Sequence, residues 1–327
     1  MPKTKHFHQF KNTLPQVVGK VFVITGTTSG TGFVAARTVA EKGGEAVLLN
    51  RPSKRVDTML NSLRKAVPNG KFVTIECDLQ NFESVRKAAG EIKSRYDKIY
   101  CLSNNAGIMA TPDEATVDGY DTQMQTNHLS HFLLTAELLP LLEAEAAANG
   151  DARIVNHSSL GRLHTPKDTL EEKYFGKNGG NLGGNELKMM RGGCFYRYFQ
   201  TKLANSVFTY ELADRLKKQN SKVRAVCAHP GGSDTSLGDH MNMGFFVNTM
   251  MKVVTPLMMQ SAEDGAMGLL IGMMSPDAKS GVLYGPKNNG TKGKAIALER
   301  KPFETDRVTT DMLWRTSQAA TGVSLLN

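Results

Sequence analysis

From residue 20 onward the chain alternates short β-branched or apolar runs with longer amphipathic ones: KVFVIT, FVAARTVAEKG, EAVLLN, KRVDTMLNSLRKAV, KFVTIEC, FESVRKAAGEIKSR and KIYCLSNNAG. Strands alternating with helices at this spacing need crossover connections, which put helices on both faces of a parallel sheet. The series continues through a helix-like stretch over 120–148, the strand RIVNHSS, the helix FQTKLANSVFTYELADRLKKQ, the strand KVRAVCAHP and the helix AEDGAMGLLIGMM. No linker-like break divides it. The pattern therefore predicts an α/β fold with one doubly wound parallel sheet, a single domain over 20–327 behind an N-terminal extension at 1–19. A chain of 327 residues is long enough to bury such a core.

Two segments do not follow the alternation. Residues 160–195 are glycine-rich and polar with little periodicity, the composition of a long surface loop. Residues 236–260 are rich in methionine and phenylalanine, which suits a wall against a hydrophobic molecule, a partner contact, or a membrane surface. The tail after Pro286 reads as irregular apart from LWRTSQAATG.

The formal charge is +9, but the lysines and arginines are scattered and no zinc-finger spacing or RNA-binding signature accompanies them. This favours attraction for an anionic ligand over nucleic-acid binding. Cys77, Cys101, Cys194 and Cys227 stand in no metal-ligand or CxxC spacing, as expected of reduced thiols in a cytoplasmic compartment. The start, MPKTKHFHQFKNTLPQ, has no apolar core of a signal peptide, and no window reaches the roughly 18 apolar residues of a membrane span.

The chemistry-bearing motifs lie at the ends of the expected strands. TGTTSGTG, Thr25 to Gly32, follows the first strand and opens the first crossover helix. Glycines there let the backbone turn tightly and approach a pyrophosphate at a helix N-terminus, where unpaired N–H groups favour negative charge; a purely structural turn would also use glycine. The second strand ends LLNRPSKR, so the slot for an acidic ribose ligand holds Asn50 and Arg51, with Lys54 and Arg55 behind. That suits the 2′-phosphate of NADP better than NAD, the alternative being a solvated basic turn. NNAG, Asn104 to Gly107, sits at the end of the fourth strand, on the edge where open α/β sheets bind ligands.

In YRYFQTK, Tyr198 and Lys202 are four apart on a helical pattern and share a face, while Tyr196 lies off it. A free tyrosine has a pKa near 10; bringing it down by about 3 units asks roughly 4 kcal/mol, which a close, partly shielded ammonium can supply. Alone, the pair also describes an ordinary helix surface.

Together these residues resemble the short-chain dehydrogenase/reductase family from about Lys20 to the C-terminus, in a Rossmann-type fold. TGTTSGTG is similar to its TGxxxGxG turn, CDL at 77–79 to its adenine-side acidic position, NNAG to its fourth-strand motif and YFQTK to its YxxxK site. QTNHLSHFLLT resembles the helix with the family's catalytic asparagine, RIVNHSS the strand with its serine, and HPGGSDT its PGxxxT segment. The resemblance implies catalytic roles for Asn127, Ser159, Tyr198 and Lys202. It implies cofactor contacts for Gly26, Thr28, Ser29, Gly30, Thr31, Gly32, Arg51, Asp78, Leu79, Asn105, Ala106, Gly107, Tyr198, Lys202, Pro230, Gly231 and Thr235. No metal is implied.

Wording such as TKLAN and HPG is similar to the retinol-dehydrogenase-like and protochlorophyllide-reductase-like branches. The expected activity is NADP(H)-dependent interconversion of an alcohol with an aldehyde or ketone, as a carbonyl reductase for a hydrophobic substrate. An NAD-dependent alcohol dehydrogenase, a reductase of a tetrapyrrole double bond and a non-catalytic cofactor sensor are the alternatives. The helices bearing Asn127 and Tyr198 are the family's pairing surfaces, implying a homodimer or tetramer. Four features depart from the pattern. Thr31 replaces an isoleucine or leucine, and His157 interrupts an apolar strand, as a satisfied histidine or a substrate contact. Gly232 replaces a bulky residue, and Ser159 and Tyr198 are unusually far apart, with 160–195 as a lid or a surface excursion between them.

Overall fold

The structure, a computed structural model, describes residues 2–178, 180–185, 192–232 and 259–326. After a short helix α1 (Phe7–Thr13) come β1 (Val21–Thr25), α2 (Gly30–Glu41), β2 (Glu45–Asn50), α3 (Lys54–Ala66), β3 (Lys71–Glu76), α4 (Phe82–Arg95) and β4 (Cys101–Asn104). Helix α5 (Thr122–Met124) runs through a π-helical turn (Gln125–Leu129) into α6 (Ser130–Asn149). Then follow β5 (Ala152–His157), α7 (Gly193–Lys218), β6 (Val223–Ala228), α8 (Ala262–Met274), β7 (Leu283–Asn288), β8 (Lys292–Leu298) and α9 (Arg307–Thr321).

The strands form one sheet in the order β3-β2-β1-β4-β5-β6-β7-β8. All pairings are parallel except β7 with β8. The interior strands are buried on both faces, as expected when crossover helices cover them. In β1, Phe22 and Ile24 pack with α1, α2 and α8, whereas Val23 faces α4, α6 and α7. The order reverses at β1, so the carboxyl ends of β1 and β4 open a crevice between their following loops.

Two stretches differ from the sequence expectation. Pro286 lies within β7, the first strand of a β-hairpin whose turn is closed by Thr291 N on Asn288 O; the central residues Asn289 and Gly290 both have positive φ, 47° and 70°, as such a turn requires. In the 160–195 region, 3₁₀ turns cover Leu160–Leu163, Pro166–Asp168 and Glu172–Tyr174. Leu170, Tyr174 and Phe175 there are buried in the core, because a few apolar side chains suffice to anchor a polar, glycine-rich stretch. The N-terminal residues are also packed: Phe7, Leu14 and Val17 are buried, and Asp264 accepts the backbone N–H groups of Lys5, His6 and Phe7 at 2.8–2.9 Å. Among the described residues no helix is long and apolar enough to cross a membrane, and no cluster of side chains could hold a metal ion.

Candidate active site

The glycine turn after β1 is held by hydrogen bonds from β4. Thr25 Oγ1 accepts the backbone N–H groups of Asn105 (3.0 Å) and Ala106 (2.9 Å), leaving its proton for His131 Nε2 at 3.0 Å. Asn105 Nδ2 donates to the carbonyls of Thr25 (2.9 Å) and Gly26 (3.1 Å). A Cβ on Gly26 would lie 2.8 Å from Ala106, and one on Gly32 would run into Gly26 O and Asn105 Nδ2, so the backbone approach itself demands glycine at both. Helix α2 starts at Gly30, and Ser29 at its cap makes no capping hydrogen bond. Its first N–H groups therefore remain available to an anion.

Asn50, in the acidic slot, braces the turn instead: its Oδ1 accepts Thr27 N at 2.8 Å and its Nδ2 donates to Thr27 Oγ1 at 2.7 Å. Beside the turn opens a cavity of about 280 Å³ lined by Thr28, Phe33, Lys54, Arg55, Thr58 and Met59, with Ser62. Its cations are Lys54 and Arg55, the latter donating to Ser29 Oγ at 3.3 Å. Arg51 is exposed and does not line it. Asp78 Oδ1 accepts Gln80 N, while Leu79 is buried with its carbonyl on Ser130 Oγ.

Two of the residues for which the resemblance implies catalytic roles meet around Gly107. A Cβ there would lie 3.2 Å from both Asn127 Oδ1 and Lys202 Nζ. Asn127 sits in the π-helical turn, accepting Ile108 N at 2.8 Å and donating to Ile108 O and Thr201 Oγ1 at 2.9 Å. Its own carbonyl is taken by His131 Nδ1–H at 3.0 Å; since His131 Nε2 receives the Thr25 proton, one neutral ring links the π-turn to the glycine turn. Burial holds the His131 pKa down to about 4.

The two serines after β5 have separate duties. Ser158 Oγ donates to Lys202 O at 2.7 Å, whereas Ser159 Oγ accepts Gly161 N at 3.1 Å and is hydrogen-bonded with Tyr198. Gly161 allows this turn to press on α7: a Cβ would lie 2.8 Å from Phe199 and 3.2 Å from Tyr198. Lys202 Nζ donates to His157 O at 3.1 Å and stands 5.7 Å from the centre of the Tyr198 ring. Burial pushes the Tyr198 phenol up to about 12, opposed by the Ser159 hydrogen bond, and lowers the Lys202 ammonium to about 8. Lysine, expected from the sequence to lower the phenol's pKa, is not among the causes acting on it in the protein alone.

Pro230 and Gly231 follow β6. Gly231 has φ +68° and no room for a side chain against Thr291 O. Gln260 clasps this edge: its N–H reaches Gly232 O, and its Nε2 reaches Pro230 O, both at 2.7 Å. Thr235 and nearly all of 236–260 lie outside the described residues. Tyr196 is half-buried and packs beside Phe199, in a small apolar cluster of Ala110, Phe195, Tyr198, Phe199 and Met109 at the head of α7. All four cysteines are buried, and none is in a disulfide.

His131 and Gln260 thus help to form the site although neither is singled out in the sequence, Thr25 opens the glycine motif but gives no sign of its contact with His131, and Asn50, in sequence only a missing acid, is a brace. His131 was within reach, one helical turn beyond Asn127; Gln260 carries no local signal at all.

The matching family model, described as short chain dehydrogenase, covers residues 20–167. The chain is 31% identical to human retinol dehydrogenase 13 across 96% of this chain and 87% of that protein. It is 30% identical to the short-chain dehydrogenase/reductase drtF of Aspergillus calidoustus across 88% and 90%. A solved structure of an uncharacterized protein from Mycobacterium paratuberculosis superposes with a TM-score of 0.72 at 29% identity, covering 96% of this chain and 97% of that one. With the glycine turn, NNAG and the serine–tyrosine–lysine group set around one crevice, these likenesses lead to one conclusion: the chain belongs to the short-chain dehydrogenase/reductase family, on its retinol-dehydrogenase-like side.

Proposed function

We propose that the protein is an NADP(H)-dependent carbonyl reductase that interconverts a hydrophobic aldehyde or ketone with its alcohol. The observation that carries this reading is the convergence of Ser159, Tyr198, Lys202 and Asn127 on the crevice beside Gly107, next to a helix N-terminus without a side-chain cap.

A dinucleotide fits the residues present. The turn from Gly26 to Gly32 and the start of α2 would hold its pyrophosphate, Asn105 to Gly107 would flank the ribose and ring, and Lys54 and Arg55 would face a 2′-phosphate in the adjoining cavity. Cations in that cavity, and an asparagine in place of an acid, support NADP(H) over NAD(H). When bound, the nicotinamide exchanges a hydride with the substrate carbon.

Tyr198 gives the proton. Its pKa of about 12 keeps the phenol protonated at neutral pH, which suits donation to a carbonyl oxygen in the reducing direction. Ser159 holds the same oxygen by its hydroxyl. Lys202, anchored on His157 O with its Nζ 5.7 Å from the centre of the Tyr198 ring, brings positive charge to the site. Asn127, pinned between Ile108 and Thr201, positions the route by which the proton is replaced. The apolar cluster around Phe195 and Phe199, and the likeness to retinol dehydrogenases, support a hydrophobic substrate.

The test is oxidation of NADPH in the presence of retinoid, steroid, quinone and aliphatic carbonyls. At least one class should be turned over, and Tyr198→Phe should lower kcat by a hundredfold or more, roughly the worth of a general acid, with NADPH binding retained. Full turnover by that variant would remove Tyr198 from the chemistry. Arg55→Ala should raise the KM for NADPH by about tenfold and leave that for NADH unchanged, with Arg51→Ala having the smaller effect.

A further inference from the structure

The two departures from the apolar pattern, Thr31 and His157, meet on one atom. Asn105 Oδ1 accepts Thr31 Oγ1 at 2.9 Å and is 2.9 Å from His157 Nδ1. Because Asn105 Nδ2 is committed to the carbonyls of Thr25 and Gly26, the oxygen must be the acceptor of both contacts. His157 is therefore the Nδ1–H tautomer. Its Nε2 is buried without a partner, so among the described residues Asn105 is the ring's one hydrogen-bonding partner, and burial holds its pKa near 3, keeping it neutral. The groups around the ring are Lys202 of α7, His131 of α6 and His229 beyond β6. All three bridge residues are at least nine-tenths buried: Thr31 is 5% exposed, Asn105 9% and His157 7%.

This gives Asn105 an arrangement that a lone asparagine would not keep. Its amide can turn over by half a revolution with little steric change, since oxygen and nitrogen are nearly the same size. Turned over, it would set its oxygen against the carbonyls of Thr25 and Gly26 and release both. Two donors on Oδ1, one from the first turn of α2 and one from the end of β5, forbid this. The same His157 supplies the carbonyl that accepts Lys202 Nζ (3.1 Å) and Asn205 Nδ2 (3.0 Å), so the bridge joins the glycine turn to the strand that seats the lysine.

We propose that Thr31 and His157 are cofactor-positioning residues acting through Asn105: together they lock its side chain in the orientation that clamps Gly26, and so set the affinity for the dinucleotide. This rests on the reading of the glycine turn as the dinucleotide site.

The experiment is the NADPH dissociation constant, by fluorescence titration, for the wild type, Thr31→Val, His157→Leu, His157→Asn and Thr31→Val/His157→Leu, with the melting temperature of each cofactor-free protein alongside. Thr31→Val and His157→Leu should each weaken binding by roughly 3- to 10-fold, the worth of one net hydrogen bond. The double variant should lose more than the product of the two, because only then is Oδ1 left without a donor. His157→Asn, whose amide N–H stands where Nδ1–H stood, should bind within about twofold of wild type. Equal loss in His157→Asn and His157→Leu, or independent multiplication in the double variant, would overturn the proposal. Variants that bind as well as wild type would overturn it too. If the double variant does not fold, the contrast between asparagine and leucine at 157 decides. Wild type without affinity for any nicotinamide dinucleotide would instead overturn the reading beneath it.

Discussion

Lys202 shows what holding a buried charge does to the stability of the fold. The residue is 4% exposed, and burial brings its pKa from 10.5 to about 8. The folded protein thus gives up this proton at a pH where the unfolded chain still holds it. Between about 8 and 10.5 the unfolded state binds more protons, so wild-type stability rises with pH across that window; below 8 the full cost of the buried charge is present. Lys202→Met should be inactive yet melt at a higher temperature than wild type near neutral pH, with the gap closing as pH approaches 10.5. Calorimetry of both proteins from about pH 6 to 10 checks this, and a variant less stable than wild type near neutral pH would contradict it. At this scale the legible residues are those whose partners follow closely in the chain. TGTTSGTG, NNAG and YFQTK are contiguous and read directly. The Asn50–Thr27 brace and the Thr25–His131 contact join residues 23 and 106 positions apart, and no local pattern announces them.

Among the elements, α7 depends most on an interaction the sequence concealed. Arg197, one residue before Tyr198, is 1% exposed. It donates to Gly183 O (2.7 Å), Gly184 O (3.2 Å) and Thr111 O (2.9 Å), and faces Asp121 at 3.1 Å. Asp121 also caps α5 by accepting Met124 N. One guanidinium therefore ties the glycine-rich stretch, the loop after β4 and the entrance to the π-turn into a single wall beside the tyrosine. Its removal strands a buried carboxylate. Arg197→Met should cost about 3 kcal/mol or more in denaturant unfolding and expose 180–185 to limited proteolysis, while adding Asp121→Asn should return part of the loss. A variant as stable and as protease-resistant as wild type would deny the wall. The apolar period over 120–148 predicts the helix found there, but a π-turn adds one residue to a single turn, and that lies below what periodicity resolves.

Over the whole molecule, the C-terminal helix packs on both of the helices that the resemblance implies as pairing surfaces. Trp314 of α9 packs on Phe132 of α6 and Phe208 of α7, with Arg215 over its ring and Phe175 close by against His128. His128 also meets Ser317 at 2.8 Å. Among the described residues, four histidines are buried and neutral. Burial lowers His128, His157 and His229 to about 3 and His131 to about 4. All four gain their proton at ordinary pH once unfolded. Stability should therefore fall as pH drops from about 6.5 toward 4, with net proton uptake on unfolding. Each ring contributes about 1.4 kcal/mol for every tenfold by which folding weakens its hold on a proton. Urea midpoints measured at intervals from about pH 7 down to 4 check the slope; a flat profile would contradict it.

The clasp of Gln260 on Gly232 and Pro230 has a consequence for how such a protein can diversify. With Gly232 and Gln260 hydrogen-bonded to each other, the number of residues between them can double at a cost of about 0.6 kcal/mol in loop closure, without moving the strands on either side. Positions 233–259 are in that sense an exchangeable cartridge. A graft between Gly232 and Gln260 should therefore leave the glycine turn and the Ser159–Tyr198–Lys202 group as they stand.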